Sequence, residues 1–103
     1  MKIVFLASAD EGIRWFTRYY IGTFPEGQRN ARNRMAMSLS LLGANPHLGR
    51  VVGKRGQREL SIPRTPFSLI YRIANDRIEI LRVWDERANP NRLNWLEEKE
   101  DRV

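Results

Sequence analysis

The strongest constraint on the fold lies in the second half of the sequence, where three short segments alternate apolar and polar residues. They cover residues 58–62, 67–74 and 77–84, and each has the length and alternation of a strand that is buried on one face. Residues 63–66, which include two prolines, separate the first two segments, and Asn75-Asp76 is typical of a tight hairpin turn. The pattern therefore predicts three consecutive antiparallel strands.

The alternation also assigns side chains to the two faces of this sheet, because successive residues of a strand point in opposite directions. Arg72 is expected on the opposite face from its apolar neighbours. Leu60 and Ile62 are predicted to share a side of the first strand, and Phe67, Leu69, Tyr71 and Ile73 to share a side of the second. In the third strand, Ile78, Ile80 and Trp84 are predicted to share a side with Arg82.

The first half of the sequence predicts one strand and two helices. Residues 2–7 are apolar and β-branched, as in a strand. Ser8 and Glu11 have the spacing of a capping box, in which each side chain bonds the other's backbone amide at a helix start. After a break at residues 22–27, a second helix is expected from Glu26 to Leu42, with Gly43 just beyond its C-terminal end.

Residues 43–57 contain four glycines and one proline among basic residues and are expected to form a loop. The predicted order is β-α-α-β-β-β, an α+β fold. It consists of a small antiparallel sheet with an N-terminal strand and a helical hairpin packed on one face. From Asn91 the chain is expected to form a short C-terminal helix or tail. The expected organisation is a single domain over residues 1–96 and an acidic tail over residues 97–103.

The composition excludes several functional classes. With no cysteine and one histidine, His47, among 103 residues, disulfide scaffolds and cysteine-based zinc sites are excluded, and we expect neither a metal nor a cofactor. No apolar run has the length of a membrane span, so we expect a cytoplasmic protein without a membrane partner. The net charge of +6 and the excess of arginine over lysine favour nucleic acid or an acidic protein as the partner.

Two groups of residues are candidates for a binding site. Arginines occur within or at the ends of the predicted strands: Arg58, Arg64, Arg72, Arg82 and Arg87. An alternative role for Arg72 and Arg82 is to pair with Glu59 and Glu79 across the sheet. The first helix carries a cluster of aromatic residues that either packs in the core or forms a groove for an apolar helix: Trp15, Phe16, Tyr19 and Tyr20.

The second half of the chain resembles the toxins of the ParE/RelE family, which belong to bacterial type II toxin–antitoxin systems. The similarity lies in R-E-L-S-I-P at 58–63, T-P-F-S-L-I-Y-R at 65–72, I-E-I-L-R-V-W at 78–84 and R-A-N-P at 87–90. The β-α-α opening agrees with the same family more loosely. No single residue is diagnostic, but the ordered combination is fairly specific.

The resemblance implies two possible activities on one fold. Members of the RelE branch are ribosome-dependent endoribonucleases that cleave mRNA, whereas members of the ParE branch inhibit DNA gyrase. Both branches are neutralised by a cognate antitoxin, which wraps the toxin near the helical hairpin and along the sheet. The resemblance thus implies that the strand arginines bind the target and that the aromatic cluster of the first helix binds a ParD-like antitoxin.

Departures from the RelE pattern favour the ParE branch. RelE-like enzymes have an arginine where this sequence has Ser68, a basic residue or histidine where it has Asp85 and Glu86, and a C-terminal tyrosine, although no tyrosine follows Tyr71. His47 lies in the glycine-rich segment and is expected at the surface. Since arginine is a poor proton shuttle, no catalytic residue is assigned. We expect a non-enzymatic gyrase inhibitor; the alternatives are a RelE-like nuclease and an inactive family member that binds antitoxin or DNA.

Overall fold

The computed structural model describes residues 1–87. The α+β class and the predicted order of helices and strands are confirmed, while the expected C-terminal helix or tail and the acidic residues 97–103 lie outside the described residues. The elements, in chain order, are β1 (Lys2–Phe5), α1 (Asp10–Arg18), α2 (Gln28–Ala44), β2 (Arg50–Val52), β3 (Gln57–Ser61), β4 (Phe67–Ala74) and β5 (Arg77–Asp85).

The sheet has five strands in the order β1-β5-β4-β3-β2. Strands β2, β3, β4 and β5 pair antiparallel in chain order, each with the next, as expected for consecutive strands with short turns. Two details differ from the expectation. β1 pairs parallel with β5, so the sheet is mixed, and the glycine-rich segment contains the three-residue strand β2, which lies at one edge of the sheet.

The main core lies between the two helices and one face of the sheet. From the sheet it receives the predicted set Phe67, Leu69, Tyr71 and Ile73, together with Ile78 and Ile80 of β5. From the helical layer come Phe16, Tyr20, Ala31 and Leu42, at most 8 % exposed. The predicted helical hairpin therefore covers a single face of the sheet, which we call the helix face. The opposite face is called the arginine face, for the residues described below.

A β-bulge divides β5 and changes the predicted sides of its residues. Ile80 pairs with Tyr71 and Arg82 pairs with Ile70, so Leu81 is an extra residue in this strand. Beyond the bulge the alternation is shifted, and Trp84 clusters with Ile70 and Leu81 instead of with the main core. The prediction that Ile78 and Ile80 share a side with Trp84 and Arg82 was wrong for this reason.

The start of α1 also differs from the prediction. Ala7–Ala9 form a 3₁₀ turn, and the N-cap of α1 is Ala9 without a side-chain hydrogen bond, so the predicted capping box is absent. Ser8 Oγ instead donates to the carbonyl of Leu81 at 2.7 Å. A tertiary hydrogen bond at the bulge has replaced the local one, and it attaches the start of the helical layer to β5.

The second helix begins two residues later than predicted and continues past Gly43 to Ala44. Gly43 is therefore not the residue that ends it. The amino group of Met1 donates to the carbonyl of Gly43 at 2.7 Å, and a Cβ at this position would lie 3.3 Å from the Met1 carbonyl oxygen. The small residue permits close contact between α2 and the beginning of β1.

Candidate functional site

Four arginines project from the sheet on the face away from the helices. The strand register places Arg50 beside Glu59, Arg72 beside Glu79, and Arg82 beside Ile70, while Arg77 pairs with Ala74. All four belong to the arginine face, because the strand register aligns them with Ile70, Arg72 and Ala74 of β4, which alternate with the main-core residues of that strand. The arginines and the residues beside them thus lie on four of the five strands.

Two buried carboxylates organise these arginines. Glu59 accepts from Arg50 at 2.5 Å, and Glu79 accepts from Arg72 at 2.7 Å and also from Arg77. The glutamate side chains are 6–7 % exposed, whereas the paired arginine side chains are 38–76 % exposed. The hydrogen bond from Arg72 is the main reason that the pKa of Glu79 is lowered.

The pairing that was considered for Arg72 and Glu79 is therefore present, but it does not remove the arginine from the surface. The register also places Lys2 of β1 beside Arg77 on this face, and Ser61 and Ser68 hold the Glu86 carboxylate there, so the charges of the face sum to +5 − 3 = +2. A buried glutamate beneath an exposed guanidinium fixes the position of that group while leaving its outer N–H donors at the surface. This arrangement suits binding to carboxylates or phosphates.

At the edge of the arginine face, a cleft of about 260 Å³ separates α1 from β5. The short strand β1 pairs only with residues 77–80, so no strand within residues 1–87 pairs with the later part of β5 on this side. α1 occupies the edge instead, with Gly12 against the Val83 carbonyl. The cleft is lined on the helix side by Glu11, Trp15 and Arg18, and on the strand side by Arg82, Trp84 and Asp85. To one end of the arginine face it therefore adds the cation of Arg18 and the indole of Trp15, together with the carboxylates of Glu11 and Asp85.

Asp85 connects this cleft to Arg87. Its carboxylate accepts from Trp15 Nε1 at 2.9 Å and from Arg87 Nε and Nη2 at 2.9 Å each. The Arg87 guanidinium also lies over the ring of Tyr19, 4.8 Å from its centroid. Mainly because of the Arg87 hydrogen bonds, the pKa of Asp85 is lowered to about 2. Asp85 is thus ionised near neutral pH and holds Arg87 against α1.

The other predicted arginines have different surroundings. Arg58 lies on the helix face, where it donates to the carbonyl oxygens of His47 and Gly49. The buried Tyr71 hydroxyl donates to Pro46 and accepts from the Gly49 amide, at 2.8 Å each. Arg58 therefore helps to hold a loop. Arg64 is exposed in the β3–β4 turn with a left-handed φ of 59°. The five predicted arginines do not form a single patch; the structure brings Arg72 and Arg82 together.

The four aromatic residues of the first helical segment divide between core and surface. Phe16 and Tyr20 are 8 % and 4 % exposed, and their rings contact Phe67. Trp15 is 39 % exposed and Tyr19 is partly buried, beside Arg87. Only Trp15 and Tyr19 present a substantial surface to a partner.

The sequence analysis missed an apolar surface on α2. Met37 and Leu41 are 64 % and 54 % exposed, and their spacing of four residues places them one turn apart on the side away from the core. Ala31, Ser38 and Leu42 are buried on an adjacent side, about 100° further round the helix. The spacing of Met37 and Leu41 in the sequence was sufficient to predict this surface. When the apolar residues of a helix extend beyond the side that packs in the core, some of them remain exposed.

The positions at which RelE-like enzymes carry catalytic groups are also informative. Ser68 is completely buried, and its hydroxyl donates to the Glu86 carboxylate, which also accepts from Ser61 at 2.7 Å. His47 is exposed in the loop beside Arg58.

Within residues 1–87 there is no group of three or more histidines and carboxylates that could hold a metal ion. No helix in this part of the chain is long and apolar enough to cross a membrane.

Comparisons with known proteins agree with this fold. A family model described as the ParE toxin of the type II toxin–antitoxin system parDE matches residues 3–90. Among solved structures, the chromosomal ParDE toxin–antitoxin system from P. aeruginosa is similar, with 27 % identity, a TM-score of 0.64 and coverage of 81 % of this chain and 92 % of that chain. The comparison with curated proteins gave no match.

The fold and these matches define the toxin component of a type II toxin–antitoxin system. The chain belongs to the ParE toxin family.

Proposed function

We propose that this ParE-family toxin inhibits DNA gyrase without catalysing a reaction, and that a ParD-like antitoxin neutralises it. The observation that carries the proposal is the arginine face, where Arg72 is held by the buried Glu79 and Arg82 lies beside the cleft that Arg18 and Trp15 line. Arginines fixed in this way provide oriented donors for the carboxylates of a protein surface or for DNA phosphates.

The side chains of Ser68, Asp85 and Arg87 favour a binding function over RNA cleavage. Cleavage through the 2′-hydroxyl requires a base to activate it and an acid to protonate the leaving oxygen. Ser68, at the position of the RelE-branch arginine, is buried and bonded to Glu86. Asp85, whose pKa is about 2, carries no proton to donate near neutral pH. The pKa of Arg87 is raised further by its ion pair with Asp85, so it too stays protonated.

The antitoxin surface follows from the exposed apolar residues of the helical layer. Trp15 and Tyr19 lie beside the cations Arg18 and Arg87, while Met37 and Leu41 form a separate apolar patch on α2. An antitoxin segment that combines an apolar helix face with carboxylates would match both features. Such a segment would be retained by burial of apolar area and oriented by charge.

The test is a supercoiling assay with purified gyrase, relaxed plasmid and the toxin, with and without its antitoxin. The proposal predicts loss of supercoiling that the antitoxin reverses. The control is a translation extract with reporter mRNA, in which the toxin should leave the mRNA intact. Unimpaired supercoiling together with codon-dependent cleavage of the mRNA would instead identify a ribosome-dependent endoribonuclease.

A further inference from the structure

Three arginines of the arginine face follow one another at regular steps along β4. Arg72 belongs to β4 itself, and the strand register places Arg82 beside position 70 and Arg77 beside position 74 of that strand. Positions two residues apart are separated by about 7 Å along an antiparallel strand. The side chains of Arg72 and Arg77 pair with the same buried carboxylate and are 38 % and 47 % exposed. We call these three residues the arginine row.

The arginine row ends at the cleft between α1 and β5. Arg82 lines this cleft together with Trp15 and Arg18. Trp15 is 39 % exposed, and the hydrogen bond from its Nε1 to Asp85 fixes the orientation of the indole. The Arg18 guanidinium lies over the indole, 5.8 Å from the ring centroid. An exposed aromatic ring and a further cation therefore lie at one end of the row.

This arrangement matches an unpaired nucleic-acid strand better than an acidic protein surface. A strand carries one phosphate per nucleotide, so its charges repeat, whereas the carboxylates of a protein surface have no such repeat. The steps of about 7 Å are about twice the rise per nucleotide in duplex DNA, as in a stretched single strand. Proteins that bind single strands combine a cationic groove with aromatic side chains on which bases stack. In a duplex the bases are already stacked on each other, so Trp15 would have no free base to contact.

The cleft has the size and the polar groups for one base. Its volume of about 260 Å³ is below the roughly 300–1,000 Å³ of pockets that enclose a whole small ligand. Glu11 and Asp85 also line the cleft, and their charges oppose a phosphate inside it. Asp85 already accepts from Trp15 and Arg87, whereas the Glu11 carboxylate is a suitable acceptor for the amino group of a base. The cleft therefore suits the base, and the arginine row outside it suits the phosphates.

We infer that the arginine face binds a single-stranded segment of DNA. One base stacks on Trp15 in the cleft, and the phosphates that follow it contact Arg82, Arg72 and Arg77. The choice of DNA over RNA rests on the function proposed above, since DNA is the substrate that gyrase holds. In the complex with gyrase, the arginine face then contacts DNA phosphates and not the carboxylates of a protein surface.

The inference is tested without gyrase, by fluorescence anisotropy of a short labelled DNA strand of mixed sequence titrated with the full chain. The strand should bind more tightly than a duplex of the same sequence. Its affinity should fall with salt with a logarithmic slope of about −2, which corresponds to three phosphate contacts. RNA of the same sequence should bind no more tightly, because stacking and phosphate contacts do not require the 2′-hydroxyl. Absence of binding, or tighter binding to the duplex or to RNA, would overturn the inference.

Two pairs of variants separate stacking from charge in the same assay. Trp15→Ala should weaken binding of the strand at least about fivefold, whereas Trp15→Phe keeps a ring and should retain most of the affinity. Both variants lose the hydrogen bond to Asp85, so their difference measures the ring. Arg82→Ala should reduce the salt slope by about 0.7, whereas the exposed Arg29→Ala of α2 should leave it unchanged. Equal affinities within the first pair, or equal slopes within the second, would refute the assigned contacts.

Failure of this inference can be distinguished from failure of the proposed function. A toxin that inhibits gyrase but binds no single strand would retain the proposed function and lose this ligand. A toxin that binds the strand but leaves supercoiling unimpaired would lose the function and retain the strand-binding face. Because the duplex, RNA and salt measurements use the wild type, they decide the inference even if a variant does not fold.

Discussion

At the scale of single residues, Asp85 connects the parts of the candidate site. Its carboxylate accepts hydrogen bonds from an indole on α1 and a guanidinium beyond β5, and thereby holds Arg87 over Tyr19. A carboxylate with charge-assisted partners is stabilised in its ionised form. The surface around Trp15, Tyr19 and Arg87 therefore depends on the charge of one residue.

This dependence predicts how Asp85→Asn changes stability with pH. Because the folded-state pKa of Asp85 is lowered to about 2, its ionisation stabilises the folded state above the usual carboxyl pKa of about 4. This contribution is lost as the pH falls from about 4 through 2. We expect Asp85→Asn to lower the free energy of unfolding at pH 7 by about 1–2 kcal/mol, reduced by the solvent exposure of Arg87.

Urea unfolding of the wild type and the variant between pH 2 and 7 measures the effect. The difference between the two proteins should shrink toward pH 2, where the wild-type carboxyl becomes neutral. The exposed Asp10→Asn serves as a charge-matched control. A difference that stays constant over this pH range would contradict the assigned role of Asp85.

Burial is the residue property that sequence pattern predicted least well in α1 and the turn that follows it. Trp15, Phe16, Tyr19 and Tyr20 occur in adjacent pairs, so helical periodicity alone leaves the boundary of the core stripe ambiguous. In the structure Phe16 and Tyr20 are buried against Phe67, Tyr19 also contacts Phe67 but stays partly buried, and Trp15 stays exposed. The packing across the fold thus set a graded boundary that the sequence pattern did not show.

At the scale of elements, the close approach of α1 to β5 shapes the cleft. A Cβ on Gly12 would lie 2.1 Å from the Val83 carbonyl oxygen, a backbone atom that cannot rotate away. The edge of β5 beyond its pairing with β1 is therefore covered by α1, and Gly12 is the residue that makes this close contact. The position of Trp15 relative to Arg82 follows from this contact.

We predict that Gly12→Ala lowers the free energy of unfolding by roughly 1–3 kcal/mol or more, because the helix must move away from the strand. Gly22→Ala is the matched control, since a Cβ there meets nothing within 4 Å. The control should be neutral or slightly stabilising. Thermal or urea unfolding of both variants measures this, and equal stability of the two proteins would show that the contact does not constrain the fold.

The elements themselves were largely predictable, and the errors have physical causes. Alternation and turn residues gave β3, β4 and β5 because each is long enough to show a period of two. Three residues do not establish a period, so Arg50–Val52 was not predicted as a strand. The bulge at Leu81 interrupts a regular alternation without a glycine or proline to mark it. The parallel pairing of β1 with β5 depends on contacts distant in sequence.

At the scale of the whole molecule, the arrangement of charge is more informative than its total. A net charge of +6 predicts an acidic partner but no particular surface. The sheet concentrates Arg50, Arg72, Arg77 and Arg82 on the face that the helices leave uncovered. Sequence alternation predicted the face for Arg72, whereas the grouping with Arg82 and the adjoining cleft depended on the bulge and on the path of α1.

The most direct test of the account compares two double variants in a gyrase binding and supercoiling assay. Arg72→Ala with Arg82→Ala removes two cations from the arginine face, and Arg29→Ala with Arg32→Ala removes two exposed cations from α2. Provided that circular dichroism shows all proteins folded, the first variant should lose at least about tenfold in affinity, or about 1.4 kcal/mol. The second should match the wild type. Full inhibition by the folded Arg72/Arg82 variant, or equal losses in both, would contradict the claim that this face binds the target.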